Sequence, residues 1–91
     1  MNQVLVEQDP SPMKLEVLNV DDWPILSEPV GEVKRHCART ETSYILEGAG
    51  NIVAEGEAAV PFQAGDLVTV MPETQCVWNI TEAIQRHYSN G

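Results

Sequence analysis

The chain has 91 residues, 43% of them hydrophobic, which points to one domain with a thin core, since so short a chain buries only roughly 60–65% of its unfolded surface. Fourteen acids against five bases leave a net charge of −9, which argues against nucleic acid and anionic membrane surfaces, because both select clustered Lys and Arg. No apolar run approaches the roughly 18 residues of a membrane helix, and the N-terminus lacks the basic and long apolar regions of a signal peptide, so the cytoplasm is the expected compartment.

Residues 1–13 read as a polar N-terminal arm carrying Pro10 and Pro12, with a single domain over 14–91. "KLEVLNV", 14–20, has strand composition. "DDWPILSEP", 21–29, reads as an extended connection broken by Pro24 and Pro29, with Trp23 over a core edge. From residue 30 onward strands and turns follow one another. "EVKRHCAR", 32–39, alternates. "TSYILEG", 42–48, ends at glycine, and "GAGN" reads as a hairpin-type turn. "IVAEGEAAVPF", 52–62, is a strand, a turn at Gly56 and a second short strand. "LVTVM", 67–71, is apolar on both faces apart from Thr69, which predicts a central strand. "QCVWNI", 75–80, and "AIQRHYS", 83–89, close the chain. Turn signals every 7–12 residues, without a sustained 3.6-residue period, predict a small antiparallel sandwich or barrel.

Side-chain parity sorts the faces. Lys34, His36 and Ala38 share one face of their strand; Val33, Arg35, Cys37 and Arg39 share the other. Cys76, Trp78 and Ile80 share a face, and Ile84, Arg86 and Tyr88 oppose Gln85 and His87.

Two stretches resemble the cupin motifs. In "ETSYILEG", 41–48, Glu41 and Gly48 have the spacing of the metal-binding glutamate and strand-closing glycine of the first motif. "GDLVTVMPETQC", 65–76, is similar to the second motif, a Gly-Asp, a strand, a Pro-x-Gly turn and a histidine, although the turn falls on Met71, Pro72 and Glu73, with the proline shifted and the glycine lost. With "WPI" at 23–25 and "RHYS" at 86–89, residues 14–89 resemble the small single-domain cupins related to ureidoglycine aminohydrolase and the ethanolamine-utilisation cupin. The resemblance implies an all-β fold, a conical antiparallel β-barrel of jelly-roll type, usually dimeric, with a cavity at its mouth. The family pattern places two histidines at i and i+2, the second about five residues before the glutamate. Those places fall on Lys34 and His36, and the third histidine's place holds Cys76.

The resulting expectation is a small-molecule-binding cupin with a degenerate metal site. Its homodimer would hold a small polar or anionic molecule in the barrel, with Trp78, Tyr44 and Arg86 as binding residues. The alternative is a metal-dependent enzyme hydrolysing a C–N bond of a small nitrogen-containing carboxylate. In it His36, Glu41 and Cys76 would hold one divalent transition metal (Zn, Fe, Mn or Ni) through imidazole, carboxylate and thiolate. His36 or Glu41 would act as general base, with Lys34 or Arg86 as anion partner. Lys34 opposes a metal, since an ammonium has no lone pair and repels a dication. Cys76 stays open as packing, ligand or nucleophile. A Cys37–Cys76 disulfide is disfavoured, because Cys37 points away from His36, with which Cys76 is expected to share the cavity.

Overall fold

A computed structural model describes residues 3–90; residues 1, 2 and 91, at the outer ends of the two expected segments, lie outside the described residues. Seven strands form one antiparallel sheet: β1 (Val4–Glu7), β2 (Ile25–Glu28), β3 (Gly31–Cys37), β4 (Glu41–Ala54), β5 (Val60–Gln63), β6 (Leu67–Val70) and β7 (Thr74–Asn90). The order is β1-β6-β4-β7-β2, with β3 also on β7 and β5 also on β4. The expected all-β fold is therefore present. The strand path ends at β1 and β2, so the barrel is a curled sheet rather than one closed by hydrogen bonds. β6 is central, paired to β1 and β4, as its two-sided apolar sequence predicts. The inner faces enclose Ile45, Ile52, Phe62, Val68, Val70, Trp78, Ile80 and Ile84.

Three local expectations are corrected. Residues 14–20 are not a strand: helix α1 spans Pro12–Leu18 and a 3-10 turn spans Val20–Asp22. Ser11 caps α1, its hydroxyl accepting from the Lys14 amide, and Pro12 stands at the first helical position, where no amide partner is needed. Asn19, with φ 62°, ends it in the left-handed conformation. Within the expected N-terminal arm, residues 4–7 pair with β6 as β1.

The third correction is "GAGN". β4 runs straight through it to Ala54, and β7 runs unbroken through Thr81–Glu82. The two strands pair along their length, with register shifts between Ile45 and Gly50. A Cβ on Gly48 would lie 2.3 Å from the Ala83 carbonyl oxygen, and one on Gly50 would lie 2.2 Å from that of Asn79. The glycines thus serve close backbone approach at a bulged bend, where the pair twists strongly enough to curl the sheet.

Candidate functional site

The two faces of β3 are as parity divides them, but the inward face is the opposite of the one expected. Val33 and Arg35 are half-buried and Cys37 is buried, whereas Lys34 and His36 are exposed. Pairing explains the choice. Val33 lies opposite Trp78 and Arg35 opposite Cys76 on β7, and Trp78 is fully buried. Turning Val33 and Cys37 outward to bring in Lys34 would exchange apolar burial for a buried ammonium. The inward residues before Glu41 are therefore Arg35 and Cys37, six and four positions upstream. His36 sits outside, with Nε2 3.6 Å from Glu73 Oε2.

Glu41 is buried and receives two guanidinium groups. Arg86 Nη1 donates to its Oε1 at 3.1 Å, and Arg35 Nη2 to its Oε2 at 3.2 Å. Arg86 Nη1 also donates to Ser43 Oγ at 2.6 Å. Glu28 joins the same network, 3.4 Å from Arg35 Nη1 and 3.7 Å from Arg86 Nε. Arg86 has no exposed surface. Its guanidinium carbon lies 4.8 Å from the Trp78 ring centroid and 5.5 Å from that of Tyr88, so the cation is also held by π faces. The interior thus contains two arginines and two glutamates with balanced charge, Arg86 being stacked on aromatic rings.

Of the residues singled out in the sequence, Arg86, Trp78, Glu41 and Cys76 come together on the inner face. Lys34, His36 and Tyr44 do not. Tyr44 alternates with the inward Glu41, Ser43 and Ile45 and lies on the outer side of β4, opposite His87. His87 Nδ1 donates to the Trp23 carbonyl at 2.8 Å, tying the Trp-Pro segment to β7. The set His36, Glu41 and Cys76 is split between two faces, and Glu41 is engaged by two cations, so these donors do not fit one metal ion as arranged. Among the described residues, no group of three or more His, Cys, Asp and Glu side chains could hold a metal. Sequence reasoning missed Arg35, Glu28 and Ser43. Arg35 and Ser43 carried a usable signal, the shared parity with Cys37 and with Glu41.

Cys37 and Cys76 are both buried free thiols on the inner face, which corrects the parity objection to their meeting. They are diagonal neighbours, Cys37 opposite Thr74 and Cys76 opposite Arg35. Burial, reinforced by the Glu41 carboxylate, pushes the Cys37 thiol up to about 11. Burial also raises Cys76. Neither thiol is primed as a nucleophile, because the thiolate is the reactive form. Folded protein is expected to resist alkylation by iodoacetamide at pH 8, both thiols reacting only on unfolding. The folded Cys37 keeps its proton above the ordinary value of 9.0. Its contribution to stability is accordingly full below pH 9 and is lost as pH rises from 9 towards 11. Urea titrations across that window should show the decline, and Cys37→Ala should flatten it.

Among the described residues no helix is long and apolar enough to cross a membrane. The sequence model of the EutQ-like cupin domain matches residues 15–88. The structure is similar to a DUF861 family protein from Thermotoga maritima, with 35% identity, a TM-score of 0.91, and coverage of 97% of this chain and 99% of that one. It shares its fold with the EutQ protein of Clostridium difficile, at 14% identity and TM-score 0.64, over 70% of this chain and 50% of that one. A DUF1255 protein from Acidithiobacillus ferrooxidans is similar at 20% identity and TM-score 0.68, over 70% and 61%. No protein of curated function matches. The Glu41-to-Gly48 and Gly65-to-Cys76 stretches lie on the strands that build this interior, and with the match over 15–88 the chain belongs to the EutQ-like cupin domain family.

Proposed function

We propose that this protein is a small-molecule-binding cupin whose barrel interior holds a small polar ligand against Arg86, Trp78 and Glu28. One observation carries the reading. Trp78 Nε1, Arg86 Nε and Nη2, Glu28 Oε2 and Thr74 Oγ1 are buried without a hydrogen bond of ordinary length, although Arg86 Nε and Glu28 Oε2 face each other at 3.7 Å and Trp78 stands beside the Cys76 thiol. Leaving such a group unsatisfied costs about 1–3 kcal/mol, so several on one aromatic-guanidinium stack favour a polar occupant. The orphans include donors on Arg86 and Trp78 and an acceptor on Glu28. Two guanidinium groups already balance two carboxylates. A molecule offering a carbonyl or carboxylate oxygen together with an N–H group suits that mixture better than a bare anion.

The metal-dependent alternative gains nothing from the side chains as they stand, since His36 faces away from Glu41 and Cys76. The expected homodimer belongs to the same reading, because α1 leaves Met13 and Val17 in solvent and the core is thin.

A thermal-shift screen of small carboxylates, amides and ureides tests the proposal. A ligand at a hundred times its Kd adds about 2.7 kcal/mol, or roughly 10–20 °C for a domain of this size. Trp78→Phe removes the indole donor while keeping an aromatic ring, and is expected to shrink the shift. A screen with no stabilising compound, or shifts that Trp78→Phe leaves unchanged, would count against it.

A further inference from the structure

The residues that parity turns away from the barrel build a second concavity. It measures about 550 Å³ and runs across β3, β7 and β4, touching Lys34, His36, Val53, Glu55, Gln75 and Val77 and the residues between them, Arg35, Ala54 and Cys76. The first six side chains all alternate with inward residues, Arg35 and Cys37 on β3, Ala54 on β4 and Cys76 and Trp78 on β7. The exposed or half-buried state of these six places the groove on the outer face of the sheet, and Arg86, Trp78 and Glu41 are not in its lining. Its volume is within the usual range of small-ligand sites.

Strand register arranges the lining in two rows. Lys34 pairs with Val77 and Val77 with Val53, so one row runs from an ammonium to two adjoining apolar side chains. His36 pairs with Gln75, and the Glu55 amide donates to the Gln75 carbonyl at 3.0 Å, so the second row runs from imidazole through amide to carboxylate. Lys14 is paired with Glu7, Arg35 and Arg86 with Glu28 and Glu41, and His36 lies beside Glu73, while Arg39, away from the groove lining, is in no ion pair among the described residues. Lys34 forms no ion pair among the described residues, in a chain with 14 acids. Its charge stands free at one end of a valine floor.

We infer that this outer groove is a second binding site, for a small amphipathic monocarboxylate. The carboxylate sits on the Lys34 ammonium beside the His36 ring, and the aliphatic body lies along Val77 and Val53. Charge sets the class: a second carboxylate at the far end would meet Glu55, and one displaced towards the turn would meet Glu73. Burial of the chain on the two valines contributes about 25 cal/mol per Å² of apolar area covered. The site is independent of the interior one and stands or falls separately from it.

Octanoate is the probe, followed by amide shifts in ¹⁵N-labelled protein. Millimolar octanoate is expected to perturb amides at 34–36, 53–56 and 75–77, and octanamide much less. Lys34→Gln is expected to weaken binding by about fivefold, the scale of an exposed ion pair, and Val77→Thr to weaken it through the floor. Both positions are at the surface of the sheet, so both variants keep the fold. Trp78→Phe, which tests the interior, is expected to leave octanoate binding unchanged. Absence of octanoate shifts, equal affinity for octanamide, or shifts abolished by Trp78→Phe would overturn the assignment. So would light scattering showing a dimer that Val77→Asp converts to monomer, since a second copy would then be the groove's occupant.

Discussion

Arg86→Met is expected to lower the free energy of unfolding by about 3–5 kcal/mol, the range for removing one partner of a buried ion pair. Urea denaturation measures it directly. Arg86 has no solvent-exposed surface, and Glu41 is nearly as deep. The pair is therefore weakened little by water screening, and the remaining carboxylate is left largely desolvated. Arg35 still reaches Glu41 at 3.2 Å, but it is half-buried and shared with Glu28, so it offsets only part of the loss. Methionine preserves much of the aliphatic stem and fills the space over Trp78, which limits any cavity contribution. Adding Glu41→Gln to Arg86→Met removes the stranded charge, and the double variant is expected to recover part of the loss. A single-variant cost below about 1 kcal/mol, the scale of a surface pair, would show that water reaches this network. A total stability of about 5–15 kcal/mol is usual for a native domain, so the single change removes a large fraction of what holds the chain folded.

Gly48→Ala is expected to cost about 3 kcal/mol, combining roughly 1–2 from the left-handed backbone with about 1–3 from overpacking. Gly48 has φ 91°, and its added methyl would meet the Ala83 carbonyl at 2.3 Å, the Glu82 carbonyl at 2.7 Å and Ile84 at 2.7 Å. Two of those three neighbours are backbone and cannot rotate away. Gly56→Ala is the matched control. Gly56 has φ 80° but nothing within 4 Å of its would-be Cβ, so it carries only the backbone term. The difference between the two variants reports the β4–β7 approach itself. Hydrogen exchange on Gly48→Ala should show loss of protection concentrated at 47–50 and 80–85, where the two strands are bulged against each other. Equal costs at the two positions would mean that the strands separate easily and that the bulge is not fixed by contact.

Much of the fold was legible. Short alternating segments between turns gave an antiparallel all-β chain, because a period of two with frequent breaks has few other solutions. The cap of α1 was also written in the sequence, as Ser11, Pro12 and Asn19. It was obscured by the prolines, which read equally well as marks of an arm. Composition misled there, since Leu15, Val17 and Val20 suit either state and no packing decides for an exposed helix.

The site was half legible. Spacing singled out Glu41, and parity grouped Cys76 with Trp78 and Arg86 with Tyr88; all of these stand on the inner face. Parity could divide β3 into two faces but not say which one is inside, because each set contains both charged and less polar residues. That decision rests on which strand lies opposite. Val33 against Trp78 and Cys37 against Thr74 bury apolar surface, and Arg35 is carried in with them because Glu28 and Glu41 wait to pair it. The sequence by itself determined the alternation, the chemistry of each face and the family. Tertiary pairing alone decided that Arg35 faces Glu41 while Lys34 and His36 face solvent, since a one-residue change of register exchanges the faces of a strand and only the neighbouring strands assign an energy to each choice.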